Sequence, residues 1–144
     1  MEKTDRELLI KEISSRLPYG IKVQVFGWDE EKGEVAVPLK VYSINTDGYI
    51  SLEYNHYDVE SVYIEDCLLY LRPMSSMTEE EEREFGKIFE LELKALEAPE
   101  GHTIVSAASS TFEIDFYNKH HFDYRGLIPM GLAIEVTDEN NPYK

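Results

Sequence analysis

The chain has 144 residues, 42% apolar and 12% aromatic, the profile of one folded domain over 1–144 rather than a disordered segment. Its longest apolar runs fall well short of the roughly 20 residues a membrane helix needs. The formal charge of −15 sets it against direct contact with nucleic acid or anionic membranes, both of which would repel it.

The start is charged and periodic. Thr4 and Glu7 have capping-box spacing, and Leu9, Ile13 and Leu17 fall at i, i+4, i+8, so the pattern predicts a helix over 5–17 stopped by Pro18-Tyr19-Gly20. With no uninterrupted apolar core and no small-residue cleavage site, this stretch does not read as a secretory signal, and the expected location is cytoplasmic.

From residue 21 the period drops to two. Ile21, Val23 and Val25 alternate with polar neighbours, Asp29-Glu30-Glu31-Lys32-Gly33 reads as a hairpin loop, and Val35, Val37, Leu39 and Val41 alternate again. Pro38 lacks an N–H and marks its strand as an edge or as bulged. Asn45-Thr46-Asp47-Gly48 signals a turn, followed by strands over 49–54 and 59–65 and a short piece over 68–71. These short connections favour an antiparallel meander, because parallel neighbours need longer crossovers. Cys67 stands alone beside two leucines and reads as a buried structural thiol.

A second helix is predicted over 79–96. Thr78 and Glu81 repeat the capping-box spacing, and Glu79 to Glu82 fill the first turn, where the helix dipole favours negative charge. Residues 77–100 carry the densest charge, with nine acids against three bases. Phe85, Ile88, Phe89 and Leu96 form the apolar face. A short strand over 102–106, a loop over 106–110, a helix over 111–121, a closing strand over 132–136 and a polar tail over 137–144 complete the reading. Ser110 and Glu113 offer a third capping box, and Phe112, Phe116 and His120 line one face of that last helix.

The string His120-His121-Phe122-Asp123-Tyr124-Arg125-Gly126-Leu127-Ile128-Pro129, within 116–144, resembles a group of short uncharacterised proteins encoded by gut anaerobic bacteria and their phages and mobile elements. Glu7-Leu8-Leu9-Ile10-Lys11 through Arg16-Leu17-Pro18-Tyr19-Gly20 and Tyr70-Leu71-Arg72-Pro73-Met74 through Glu80 resemble the same group. The resemblance covers most of the chain except 21–66. It implies no activity, cofactor or catalytic residue.

Three constellations could carry chemistry. His56-Tyr57-Asp58 and His121-Phe122-Asp123 have His-x-Asp spacing, which on a strand would put both ligands on one face; nothing in the sequence joins the two, and no metal or cofactor is expected. His120, His121, Asp123 and Arg125 could form an acid–base site with Asp123 orienting a histidine, but no nucleophile motif accompanies them. A helix end, an internal ion pair and two glycine turns explain the same residues. The third is aromatic: ten tyrosines, many in the sheet region. An exposed subset of Trp28, Tyr42, Tyr49, Tyr54 and Tyr57 would suit a protein partner, because such side chains dominate binding hot spots.

The expected architecture is α+β: an N-terminal helix, an antiparallel sheet of about four to six strands, and two further helices packed on one face. The expected function is a small acidic, non-enzymatic interaction protein of a mobile element or phage. The alternatives are a small enzyme using residues 120–125, and a nucleic-acid mimic occupying a basic host protein.

Overall fold

The computed structural model describes residues 1–95 and 105–144, and the side chains of 1–87 and 112–144. Helix α1 (Lys3–Arg16) is followed by strands β1 (Lys22–Asp29), β2 (Gly33–Ile44), β3 (Tyr49–Leu52), β4 (Ser61–Tyr63) and β5 (Leu68–Leu71). Helices α2 (Glu79–Ala95) and α3 (Val105–Lys119) come next, then β6 (Ala133–Glu135). Among the described residues the strands form one six-stranded sheet in the order β4-β3-β2-β1-β5-β6. The fold is α+β, with the sheet mostly antiparallel. The exception is β6, which returns from the far end of the chain and pairs parallel to β5, Leu69 opposite Ala133.

Alternation sorts the sheet into two faces. Val23, Val25, Val37, Leu39, Val41, Ile50 and Leu52 point inward and pack against Leu9 and Ile13 of α1 and against Leu127 and Leu132 of the closing segment. A second, aromatic cluster joins α2, α3 and the chain beyond α3. Phe85 meets Phe116 edge-on at 5.2 Å and stacks on Tyr117 at 5.9 Å. Tyr117 in turn stacks on Tyr124 at 5.6 Å.

Local signals behave unevenly. The Thr78–Glu81 capping box is reciprocal: Glu81 N donates to Thr78 Oγ1 at 3.1 Å, and Thr78 N to Glu81 Oε1 at 3.0 Å. The Thr4–Glu7 box is not made, because α1 begins earlier, with Glu2 at the N-cap and no side-chain cap bond. Nor is the buried stripe of α1 the expected Leu9, Ile13, Leu17. Arg16 ends the helix, Leu17 begins a 3₁₀ turn, and the buried face is Leu9, Glu12, Ile13 and Arg16.

The expected loop over 106–110 is helical, since α3 starts at Val105, so Ser110 lies inside the helix rather than capping it. Residues 102–104 of the strand expected over 102–106 lie outside the described residues. Strand β3 is shorter than expected because the chain turns after Leu52, where Asn55 Nδ2 donates to Glu53 O and Val59 O, and β4 is shorter because the chain turns into a 3₁₀ helix at Ile64–Asp66.

Pro38 sits in β2, a strand with neighbours on both sides, yet the edge expectation holds locally. Strand β3 pairs with β2 only from Val41 onward. The half of β2 that carries Pro38 therefore has β1 on one side and an open edge on the other. At the end of that edge Lys40 N donates to the Glu53 carboxylate at 2.9 Å. A proline and a carboxylate together blunt the edge against pairing with another strand.

Candidate functional site

Helix α3 ends in a Schellman motif. Phe122 N donates to Tyr117 O at 2.8 Å and His121 N to Asn118 O at 3.3 Å, while His121 takes the left-handed position at φ 64. Glycine is the usual residue there because it has no Cβ to clash. Phe122 and Tyr117 also make the ring contact that accompanies the motif.

This turn sends the four histidine-cluster side chains in four directions. His120 reaches α2, its Nδ1 at 3.2 Å from Glu81 and its Nε2 at 3.4 Å from Glu84. The His121 ring stacks on Tyr143 at 3.6 Å and 7°. Asp123 is buried, and its two carboxylate oxygens accept from Leu127 N at 2.8 Å and Ile128 N at 2.9 Å. Arg125 pairs with Glu12 and lies 5.3 Å from the Tyr124 ring centroid.

Each direction is a tie to a different element. The fully buried Glu12 also accepts from Arg16 Nη2 at 3.0 Å, and Arg16 Nη2 donates to Phe122 O at 2.7 Å. Arg72, just past β5, stands 4.3 Å from the Phe122 ring centroid and grips Glu81 through two bonds of 2.6 and 2.7 Å. That guanidinium holds the Glu81 carboxyl down to about 2. Tyr143 wedges between the ends of β1 and β5, accepting from Lys22 N at 3.1 Å and donating to Tyr70 O at 2.8 Å. The tail expected to be merely polar is thus anchored by one phenol.

The His-x-Asp triplets are far from joining. His56 and Asp58 lie in the β3–β4 connection, with His56 against Tyr57, whereas Asp123 is committed to backbone donors. Among the described residues no group of three or more His, Cys, Asp or Glu could hold a metal ion. Cys67 is buried, and burial pushes its thiol up to about 12, so it stays protonated.

The aromatic residues present the opposite picture. Phe26 and Trp28 of β1 are 61% and 67% exposed, and Tyr42, at the bulge in β2, is 79% exposed. Tyr49 and Tyr63, paired across β3 and β4, are exposed and meet edge-on at 5.2 Å. All five belong to the face opposite Val23, Val25 and Ile50. Tyr57 is elsewhere: half-buried, it packs under the sheet where Gly27 has no side chain, and a Cβ on Gly27 would lie 2.8 Å from Tyr57 Cβ. Tyr54 is fully exposed in the connection after β3.

Sequence reasoning left Phe26 and Tyr63 out of the aromatic set. The signal was present, since Phe26 and Trp28 are i and i+2 on one strand. Glu12, Arg16, Arg72 and Tyr143 carried no such signal.

The fold and both regions define a small α+β protein whose sheet is covered by helix on one face. No protein-family model, curated protein or solved structure matches the chain. Among the described residues no helix is long and apolar enough to cross a membrane.

Proposed function

We propose that this chain is a non-enzymatic protein-interaction module that binds its partner through the open face of the sheet. The supporting observation is a set of uncovered rings on the sheet face that no described helix covers: Phe26 and Trp28 at the β1–β2 hairpin end, and Tyr42, Tyr49 and Tyr63 toward β3 and β4. Exposed aromatic clusters of this kind suit recognition, because each ring offers a large area at low cost in side-chain entropy. The alternative enzyme site would need His120, His121, Asp123 and Arg125 to converge; instead His120 faces Glu81 and Glu84, Asp123 accepts from two backbone amides, Arg125 pairs with Glu12, and the His121 ring stacks on Tyr143 with its buried Nδ1 unpartnered among the described residues. In keeping with the resemblance of its C-terminal string, the module acts in the cytoplasm as an accessory protein of a mobile element or phage.

Affinity capture from extracts of the source cell tests this with three baits: the native chain, a Phe26→Ser/Trp28→Ser variant and a Lys119→Ala variant. A partner retained by the first and third and lost by the second is the expected result. A double variant that keeps the same partners would overturn the proposal.

A further inference from the structure

We infer that the Phe26–Trp28 end of the open face docks an extended, arginine-bearing segment of a basic protein. This rests on the interaction reading above and specifies the chemistry of the partner. Phe26 and Trp28 lie two residues apart on β1, about 7 Å along the strand. Their cross-strand neighbours on β2 are Ala36 and Glu34, so a small residue leaves the phenyl flank bare and a carboxylate stands beside the indole. Toward β5 the surface dips into an open depression of about 400 Å³, lined by Phe26, Gln24, Leu68, Cys67, Glu65 and Asp66; Glu65 is already paired with Arg6, which leaves Asp66 and Glu34 as the carboxylates beside the rings. Bare rings with carboxylates at their margin match a guanidinium, which stacks on an aromatic face while its N–H fork bonds carboxylate.

The protein applies that pairing to its own inner rings. Arg16 and Arg125 flank Tyr124, and Arg72 covers Phe122. Among the described residues no cation covers Phe26 or Trp28. The face is also graded. The cross-strand pair Lys22 and Lys40 lies past Phe26 along the strands, between it and Tyr42, while Asp29, Glu30 and Glu31 extend the acidic end into the hairpin.

Electrostatics selects among occupants. A second copy would bring another −15 chain and set acidic rim against acidic rim. A strand added to the β2 edge would meet Pro38 and the Glu53–Lys40 contact. A basic segment lying across the face meets neither obstacle.

Trp28 is the single tryptophan, so its emission reports this site alone. Titrating the full chain with nona-arginine should give a saturable change in Trp28 emission. Half-saturation should come at about fivefold lower concentration than for nona-lysine. Phe26→Ser, and separately Glu34→Gln/Asp66→Asn, should each weaken binding about tenfold. Glu80→Gln/Glu82→Gln, which removes the same charge from α2, should weaken it less than about twofold.

Equal weakening by the α2 pair would overturn the inference in favour of net charge alone, and so would binding that leaves Trp28 emission unchanged. Sedimentation showing a dimer that Phe26→Ser abolishes would assign the face to a second copy. If nona-arginine fails while Phe26→Ser/Trp28→Ser still loses its captured partner, the interaction reading stands and the arginine chemistry is wrong.

Discussion

The segment after α3 and the open face of the sheet are both rich in reactive-looking side chains, and they use them in opposite ways. Between His120 and Arg125 nearly every polar group is turned inward, onto α1, α2, the end of β5 or the tail. On the open face the rings of Phe26, Trp28 and Tyr42 turn outward and meet little of their own chain. Density of functional groups in sequence is therefore a poor guide to function here. The cluster after α3 is spent mostly on internal ties, with His121 Nδ1 left buried and unpartnered among the described residues.

The comparison breaks most readily at Glu12. Its carboxylate is the shared anion for buried Arg16 and for Arg125, and removing one partner of a buried pair strands the other charge. Glu12→Gln should cost about 3–5 kcal/mol in urea unfolding, whereas Glu12→Leu/Arg16→Met should recover most of that loss because it removes both charges. If Glu12→Gln costs no more than an exposed substitution, the ion pair does not anchor the segment.

The next effect is a pH dependence. Burial, with Arg16, His120 and Arg72 nearby, lowers the His121 imidazole to about 4 from its ordinary 6.5. The unfolded chain therefore takes up a proton near pH 6.5 that the folded chain refuses until about pH 4. The contribution is intact above pH 6.5 and is lost as the pH falls through that window, by on the order of 2 kcal/mol after allowance for partial exposure. Glu81 works in a lower window, its contribution being present above about 4.5 and lost toward pH 2. His121→Asn tolerates the left-handed backbone without titrating. It should flatten the change in urea midpoint between pH 7 and pH 5 and leave the acid limb below 4.5 in place.

The smallest effect sharpens the contrast from the other side. Phe26→Ser and Trp28→Ser should each change unfolding stability by no more than about 0.5 kcal/mol, as exposed positions do. A loss above about 2 kcal/mol in thermal or urea unfolding would show that the rings support the sheet rather than a partner.

Much of the fold was legible because it rests on short-range rules. The Thr78–Glu81 box, the Asp29–Gly33 hairpin and the Asn45 turn, where Asn45 Oδ1 accepts from Asp47 N and Tyr49 N at 3.0 Å each, all close within five residues. The α1 boundary failed because a capping box is only a spacing, and Thr4 was taken into the helix instead. The end of α3 was legible, expected at His121 against an observed last residue of Lys119, whereas its start at Val105 was not, because the small, polar run over 106–110 reads as a loop. The His-x-Asp and His-Asp-Arg readings could not be resolved from spacing, since the partners of those side chains are Glu12, Glu81, Tyr143 and two backbone amides.

The amino-acid sequence by itself determined the alternation that makes one sheet face apolar and the other aromatic, along with the caps and turns that bound the elements and the surplus of negative charge. These depend on periodicity, local hydrogen bonding and composition. Only the tertiary structure decided which charges are buried, that β6 lies parallel beside β5, that Tyr143 pins the tail, and that α1 covers the inner face and leaves Phe26 and Trp28 bare on the other. Those outcomes depend on groups up to 121 residues apart, as in the Lys22–Tyr143 contact, and no local pattern encodes where a chain will meet itself at such range.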